Sequence, residues 1–419
     1  MGQDKQIKIK ISEKIDTDEN IVRLGKEARK ALGITKCKDE KIEVWANPFI
    51  DSRLYKVKKA FSIDLKNIPK DSIKNTIFVS KGQFDKLFKE SEMFGVHNNF
   101  WASTKKKTCV GSDPEFILFK NTNTHDMIYA ADLLPFDSQI GSDGPLAELR
   151  AKPGITPKEH TNNISELINN IHRYINTEEV RCRIFPYVDF ESSNSDNEES
   201  SRVPVTSVSC GGHIHFGITK KINTNTALNE HKLITEILDR TLAIAMHRLD
   251  KDLGVKRRTK QNYGKAGDYR AEYPYNVLEY RVLSATWLLY KDLTEATLTV
   301  ASDLVEEISS RLVAQDINID PSKIYSNSFI FGELFPELSE LAIYNRDDIE
   351  RVLQTNPDND DFLNYTKKSL ECMSQIIGSD ELETLSRVIL SDYKKLDNLN
   401  PDFIDNWTSE ISIFDHIEK

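Results

Sequence analysis

Four short segments of this sequence each carry two chemically reactive residues separated by one position. They are Asp113 and Glu115 in GSDPEF, Glu148 and Arg150 in AELRA, His213 and His215 in GGHIHFG, and Glu279 and Arg281 in LEYRVLS. In a β-strand, residues i and i+2 point to the same face, so each pair projects its two side chains together. If the four strands are neighbours in one sheet, as we expect, its open face holds four carboxylates, two imidazoles and two guanidinium groups.

Such a face is costly without a cation, because clustered carboxylates repel one another and shift one another's pKa values. Carboxylate oxygens with few nitrogens suit Mg²⁺ or Mn²⁺, whereas a zinc site uses more histidine or cysteine. Taken singly, each pair has a simpler explanation, such as a solvated strand face, a hydrogen-bonded histidine or an exposed ion pair. Four pairs on consecutive predicted strands favour one magnesium or manganese site.

Glycines and a basic segment accompany the pairs. The glycines are Gly111, Gly141, Gly144, Gly211, Gly212 and Gly217, and they predict close approach of a ligand or of another backbone. The segment from Arg257 to Arg270, RRTKQNYGKAGDYR, is cationic and punctuated by glycines. Because it directly precedes the strand of Glu279 and Arg281, we interpret it as a flexible loop that wraps phosphate groups. The alternative is an exposed basic turn.

Length and composition limit the class of protein. The chain has 419 residues, 39% hydrophobic and 29% charged, which predicts a principal domain with smaller attachments. It has no apolar stretch long enough for a membrane span, and its start, MGQDKQIKIK, lacks signal-peptide character, so we expect a cytoplasmic protein. The net charge of −10 argues against general nucleic-acid binding. Five widely spaced cysteines without a CxxC pair predict reduced structural thiols.

Three regions are predicted along the chain. Residues 1–105 alternate β-like runs with Lys-rich turns, and Ile21–Trp45 resembles the strand, helix and strand of an AbrB-type swapped hairpin or a RIFT-barrel half. This predicts a small β-barrel. Residues 106–315 form the catalytic domain, and residues 316–419 form a helical, acidic region.

Two helices are predicted within the catalytic domain. The first begins with Thr156 as N-cap, and Glu159 completes a capping box. The second runs from about Asn225 to Leu253, with Gly254 as its stop signal.

The motifs together resemble the glutamine-synthetase-like carboxylate–amine ligases, most closely the type-2 amidoligase family typified by phage phiEco32. The resemblance covers about Cys109 to Ala285 and rests on GSDPEF, GSDGPLAELRAKPG, GGHIHFG, YGKAGDYR and LEYRVLSA. It implies an α+β fold, with a glutamine-synthetase-like antiparallel sheet and helices packed on one of its faces. The β-rich N-terminal domain and the helical C-terminal region lie outside it.

The resemblance also implies roles for individual residues. The implied metal ligands are Asp113, Glu115, Glu148, His213 and Glu279, the implied nucleotide contacts are His215, Lys265, Arg270, Arg281 and Arg150, and the implied catalytic residues are Arg281, Arg270 and Glu148. The implied cofactors are ATP and two or three Mg²⁺ or Mn²⁺ ions, with Asp143 as a more distant contributor. Asp113 stands where glutamine synthetases have glutamate, and no ammonia-binding segment is visible, which favours an amine carried on a larger molecule.

The implied activity is amide formation through an acyl phosphate, with carboxylate and amine substrates that are small molecules, peptides or protein side chains. Two other classes stay open: a metal-dependent hydrolase built around His213 and His215, and a catalytically silent binding protein with the same fold. A nucleic-acid role for residues 1–105 also stays open, as does homo-oligomer formation. A phage-encoded chain would act in the cytoplasm of a host cell.

Overall fold

The structure, a computed structural model, describes most of the chain in two compact units. The described residues are 6–13, 21–32, 34, 41–45, 53–59, 76–85, 100–103, 108–121, 126–190, 205–218, 224–272, 277–314 and 330–418. The first unit comprises Met1–Cys109, Gly217–Lys221 and Tyr273–Val277, and the second comprises Val110–Phe216, Ile222–Glu272 and Leu278–Lys419.

Six strands of the first unit close into a small β-barrel. They are β1 (Gln6–Glu13), β2 (Ile21–Leu24), β3 (Lys41–Trp45), β4 (Arg53–Lys59), β5 (Thr76–Val79) and β6 (Phe100–Ser103), in the order β1-β5-β2-β4-β3-β6. Closure leaves no unpaired edge, and Val22, Leu24 and Val79 are completely buried. Helix α1 (Lys26–Ala31) follows β2 directly. The strand, helix and strand predicted for Ile21–Trp45 are present, whereas kinship with AbrB or RIFT barrels stays a prediction.

The second unit contains two larger sheets and a two-stranded one. Its strands are β7 (Cys109–Ser112), β8 (Glu115–Lys120), β9 (Met127–Ile128), β10 (Ile140–Asp143), β11 (Leu146–Leu149), β12 (Val180–Arg183), β13 (Val188–Asp189), β14 (Ser207–Val208), β15 (Ile214–Gly217), β16 (Tyr269–Glu272) and β17 (Val277–Tyr280). One sheet has the order β10-β11-β8-β12, with β9 beside β8. The other has the order β16-β17-β15-β7, and β13 pairs with β14.

The four reactive pairs therefore lie in two sheets, and the expectation of a single sheet was wrong. The chain passes from one sheet to the other between β7 and β8, where Asp113 and Pro114 belong to neither strand. Proline has no N–H and cannot extend a ladder, which explains the break. The two sheets meet there, because the Glu115 N–H donates a 2.8 Å hydrogen bond to the Gly211 carbonyl.

Three helices lie among these strands: α2 (Pro157–Asn169), α3 (Thr224–Leu238) and α4 (Ile244–Lys260), with a wide π-helical turn at Asp239–Ala243 between the last two. The N-cap of α2 is confirmed, since the Thr156 side chain accepts from the Glu159 N–H. The Glu159 carboxylate accepts from the Ile155 N–H, one residue before the N-cap, so the second half of the predicted capping box is shifted by one residue. The helix end predicted at Leu253 and Gly254 lies a few residues earlier, at Lys251, whose φ of 56° and ψ of −151° are non-helical. A second helical segment of α4 then continues through Gly254 to Lys260.

The remaining helices form much of the second unit. They are α5 (Lys291–Ala314), α6 (Arg346–Leu353), α7 (Asp360–Ile376), α8 (Asp380–Ile389), α9 (Tyr393–Leu396), α10 (Phe403–Thr408) and α11 (Phe414–Ile417), with short 3₁₀ or π turns at Ala130–Asp132, Ile171–Arg173, Ala285–Leu288, Ile330–Leu334 and Pro336–Leu341. Phe403 of α10 packs edge-to-face on Phe116 of β8, with ring centroids 5.3 Å apart. Trp407 donates a 2.8 Å hydrogen bond to the Leu288 carbonyl. The C-terminal helices and the two larger sheets thus share one compact unit.

The mixture of helices and antiparallel sheet confirms the α+β class. The predicted domain boundaries and the layering of helices on one face stay predictions. Cys182, Cys210 and Cys372 are buried thiols, and Cys37 lies outside the described residues. No helix in the described part of the chain is long and apolar enough to cross a membrane. The cytoplasmic location stays a prediction.

Candidate active site

Each reactive pair straddles the end of a strand instead of lying within it. Glu115, Glu148, His215 and Glu279 lie in β8, β11, β15 and β17, while Asp113, Arg150, His213 and Arg281 lie just outside those strands. One member of each pair is therefore held by a hydrogen-bonded ladder, and its partner lies on the adjoining non-strand backbone. This arrangement gathers the pairs where the two sheets meet.

Asp113, His213 and Glu279 form the centre of the site. Their ligand atoms all lie within 4.8 Å of one another, and among the residues that the structure describes they are the one such group of three. His213 Nδ1 lies 3.4 Å from Asp113 Oδ1 and 3.6 Å from Glu279 Oε1. That nitrogen is buried and has no hydrogen-bond partner among the described residues. Two carboxylate oxygens and an unsatisfied imidazole nitrogen at these distances suit a divalent cation.

Glu115 and Glu148 add two buried carboxyl groups to this centre. They are directly opposite each other in the antiparallel register of β8 and β11. Burial and the negative charge of Asp113, with which Glu148 shares a hydrogen bond, raise the pKa of Glu148 to about 8. Burial also raises the pKa of Glu115, against the opposing effects of His213 and the Gly211 N–H. The raised pKa values show that the positively charged groups of the protein do not fully neutralise the carboxylates of this cluster.

Two histidines act on Asp113. His215 Nε2 lies 3.0 Å from Asp113 Oδ1, on the same oxygen that His213 approaches. Burial by itself raises the pKa of Asp113, but the neighbouring His215 and His213 outweigh it and hold that pKa well below its usual value. Asp113 is therefore the ionised carboxylate of the cluster, beside the protonatable Glu148.

Two arginines hold Glu279. Arg281 Nη1 donates a 2.7 Å hydrogen bond to Glu279 Oε1, and Arg270 Nε donates to Glu279 Oε2. The Glu279 side chain is 0% exposed, whereas that of Arg270 is 57% exposed. A buried carboxylate is thus linked to a guanidinium that reaches solvent, which places positive charge where an anionic ligand can meet it.

Arg150, Lys265 and Asp143 lie further from the centre. The Arg150 guanidinium donates to Glu148, to the Phe136 and Ser138 carbonyls before β10, and to the Ser142 carbonyl within β10. It also lies over the Phe136 ring. Lys265 is half-buried in the segment after α4, and Asp143 is exposed at the end of β10. The charge of Asp143 contributes to raising the Glu115 pKa. Nucleotide contacts by Arg150 and Lys265 stay predictions.

The first part of the basic segment is not a loop. Arg257 and Arg258 lie in α4 and are 0% and 1% exposed. Arg257 donates to the carbonyls of Val282 and Leu283, at 2.8 and 3.0 Å. These two arginines are therefore occupied in bracing the backbone that follows β17, and the expectation that they wrap phosphate was wrong.

Two residues near the site, Tyr263 and Asp239, carried no assigned role in the sequence. The hydroxyl of Tyr263 lies 2.6 Å from His213 Nε2, and Asp239 accepts hydrogen bonds from the Tyr280 hydroxyl and the Gly267 N–H, at 2.7 and 2.6 Å. Gly211 donates its N–H to Glu115 and accepts from the Glu115 N–H, which is the close backbone approach predicted there. A Cβ on Gly211 would also lie 2.5 Å from the Tyr263 hydroxyl. The glycine beside the histidine pair was a usable signal, whereas nothing in the spacing pointed to Tyr263 or Asp239.

The comparison with known protein families places this geometry in context. A family model described as Phage phiEco32-like COOH.NH2 ligase-type 2 matches residues 110–324, just over half of the chain. The match contains both sheets that carry the reactive pairs and ends before α6. None of the curated proteins matches the chain.

Proposed function

This chain belongs to the phage phiEco32-like COOH.NH2 ligase-type 2 family, a family of carboxylate–amine ligases, and on that premise we propose that it forms an amide from a carboxylate and an amine with ATP as co-substrate. The single observation that carries the metal-dependent form of this proposal is the orphaned nitrogen of His213. It is buried between Asp113 and Glu279 without a hydrogen-bond partner among the described residues. A cation bound between the two carboxylates would satisfy this buried nitrogen.

The donor set favours a hard cation. Asp113 and Glu279 offer oxygen and His213 offers one nitrogen, and Glu115 and Glu148 supply further oxygen donors nearby. Mg²⁺ and Mn²⁺ prefer such sets, whereas zinc sites of hydrolases draw on more histidines. We propose these five residues as the ligands of two or three Mg²⁺ or Mn²⁺ ions. Bound there, the ions would neutralise phosphate oxygens of ATP.

The proposed reaction has two steps. An oxygen of the substrate carboxylate attacks the γ-phosphorus of ATP, so that a C–O–P linkage forms and ADP leaves. The amine nitrogen then attacks the acyl carbon, the C–O bond to phosphate breaks, and inorganic phosphate leaves as the nitrogen loses a proton. Activation is required because a carboxylate otherwise has oxide as its leaving group, and the protein contributes positioning and charge compensation.

The arginines supply that compensation. Arg281 and Arg270, held on either oxygen of Glu279, would offset the negative charge of the transferred phosphoryl group. His215, fixed on Asp113, would lie beside the nucleotide, with Lys265 and Arg150 as further contacts. Glu148 would act as a ligand from the position where it shares a hydrogen bond with Asp113. The amine would be carried on a molecule larger than ammonia.

The rival activity is metal-dependent hydrolysis. In the described part of the chain, the candidate metal group contains one histidine and two carboxylates, which favours phosphate chemistry with hard cations over a zinc-bound water. A silent fold is the second rival. An exposed Arg270 guanidinium linked to buried Glu279 argues for a site that binds an anionic ligand.

One assay separates these classes. The protein is incubated with ATP, Mg²⁺ and pools of amino acids, peptides and polyamines, while ADP release is followed and condensation products are sought by mass spectrometry. Substrate-stimulated ADP release with a product lighter by one water than its two precursors supports the ligase. Hydrolysis of a pool component without ATP would favour the hydrolase. Absence of metal-dependent ATP binding and turnover in every pool would overturn the proposal in favour of a silent fold.

A further inference from the structure

We propose that Tyr263 is a positioning residue that orients the imidazole of His213 for metal binding. The inference rests on the proposed function, because it requires the metal centre of Asp113, His213 and Glu279. Its geometric basis is the 2.6 Å separation between the Tyr263 hydroxyl and His213 Nε2. The two rings meet edge-to-face, with centroids 6.0 Å apart.

The chemistry of imidazole makes this contact consequential. A neutral imidazole carries a proton on one nitrogen and a lone pair on the other. When Nε2–H donates to the Tyr263 oxygen, the lone pair is on Nδ1, the buried nitrogen that lies between Asp113 and Glu279. Histidines that bind metals generally have their second nitrogen held by such a partner. With Nε2–H donating to it, the tyrosine oxygen holds the imidazole in the tautomer that can ligate a cation.

Surrounding groups hold the Tyr263 ring in place. The Arg257 guanidinium lies over the ring at 4.6 Å, and that of Arg281 at 5.9 Å. Gly264, at φ 67°, makes room for Arg257, since a Cβ there would lie 1.9 Å from its Nη1. These contacts hold the hydroxyl against His213.

The contact between Tyr263 and His213 also depends on Gly211, which lies beside the Nε2 edge of the histidine ring. Gly211 lies where a Cβ would meet both the Tyr263 hydroxyl and His213 Nε2, at 2.5 and 2.6 Å. Only a residue without a side chain leaves the two groups within hydrogen-bonding distance here. Gly211, Tyr263 and Gly264 thus form a supporting layer behind the metal-facing side of His213.

Mn²⁺ binding tests the inference without requiring activity. Free Mn²⁺ is titrated by electron paramagnetic resonance in the full-length wild type, in Tyr263→Phe and in Tyr290→Phe. The control Tyr290→Phe removes a hydroxyl that accepts a 3.1 Å hydrogen bond from the Asn400 N–H on a fully buried ring. We expect Tyr263→Phe to weaken Mn²⁺ binding by about 10- to 100-fold, as other second-layer substitutions do. Tyr290→Phe should bind Mn²⁺ like the wild type.

A double-mutant cycle distinguishes positioning from a merely structural role. In a His213→Gln background, Tyr263→Phe should cause no further loss of Mn²⁺ affinity, because its partner is already gone. Equal Mn²⁺ affinity in wild type and Tyr263→Phe, or an undiminished effect in the His213→Gln background, would overturn the inference and leave the proposed function intact. Failure of the wild type to bind Mn²⁺ would overturn the metal centre itself, and this inference with it.

Discussion

Glu115 and Glu148 face each other directly across the β8 and β11 ladder, and both side chains are buried. Like charges at opposite positions of an antiparallel pair are destabilising. A cation that binds this cluster only in the folded protein stabilises it, by about 2.7 kcal/mol when its free concentration is 100 times the dissociation constant. Thermal unfolding should therefore shift to higher temperature with MgCl₂ or MnCl₂, and EDTA should reverse the shift.

The matched variant is Glu148→Gln. This substitution removes one of the two opposed carboxyl groups, so the metal-free protein should be at least as stable as the wild type. The rise in unfolding temperature that metal causes should become smaller or disappear. NaCl at equal ionic strength controls for screening. The same metal-induced shift in Glu148→Gln as in the wild type would remove Glu148 from the metal site.

Arg281 and Glu115 are expected to be required for turnover. Loss of the Arg281 guanidinium removes a hydrogen bond to buried Glu279 and charge compensation at the phosphoryl group. Arg281→Ala should lower kcat by about 10²- to 10³-fold, the usual effect of removing one transition-state donor. Glu115→Ala should likewise abolish turnover while the fold stays intact by circular dichroism.

A suitable control is Arg387→Ala, since Arg387 forms a half-exposed ion pair with Glu418. It should retain wild-type ADP release and differ little in stability. Wild-type ATP consumption by both Arg281→Ala and Glu115→Ala would contradict the assignment of the site.

The spacing of residues in the sequence predicted which side chains belong to the site, but it did not predict how the sheets that carry them are arranged. Local rules were sufficient for the N-cap at Thr156 and for the reactive pairs that include Asp113, His213 and Glu279, which the structure brings together. The roles of these three residues as metal ligands were implied by the family resemblance. Strand spacing alone could not show that Pro114 separates two sheets. Tyr263 is fifty positions from His213 in the sequence, and tertiary packing brings the two side chains together. The contact could therefore not be predicted from local spacing.

The basic segment shows the limit of composition as a guide. Its net positive charge suggested phosphate binding, yet Arg257 and Arg258 are used by backbone carbonyls in the interior. Whether an arginine serves a ligand or a carbonyl depends on which helix face it occupies. The two arginines were predicted to lie in a loop after a helix end at Gly254, so no helix face was considered for them.

Asp239 should make stability depend on pH. Burial raises its pKa to about 7, although the Tyr280 hydroxyl and the Gly267 N–H act against the rise. Between the unfolded value of about 3.9 and the folded value of about 7, the native state holds a proton that the unfolded state has released. The free energy of unfolding therefore falls as pH rises through this window, by about 3 kcal/mol between pH 5 and pH 8 at 1.36 kcal/mol per pKa unit.

Urea unfolding as a function of pH measures this effect. Asp239→Asn should flatten the wild-type slope between pH 5 and pH 7. Tyr280→Phe offers a second check with a defined sign, because it removes a hydrogen bond that lowers the Asp239 pKa, so the sloping region should extend to higher pH. A slope that persists unchanged in Asp239→Asn would assign the dependence to other groups.

Glu350 of α6 should control the segment that follows α4, although it lies outside the family match. Its Oε2 accepts a 2.8 Å hydrogen bond from the Ala266 N–H, and Gly267 packs so closely on Arg346 that a Cβ there would lie 2.9 Å from its Nε. We expect Glu350→Ala to cost about 1–3 kcal/mol by leaving that N–H unsatisfied. Because Lys265 precedes Ala266 directly, the KM for ATP should rise several-fold with a smaller change in kcat.

Hydrogen exchange should show faster exchange at the Ala266 and Gly267 amides, and exposed Glu383 on α8 provides the control variant Glu383→Ala. Faster exchange with an unchanged KM for ATP would separate this segment from nucleotide binding, while unchanged exchange would show that α6 does not hold it in place.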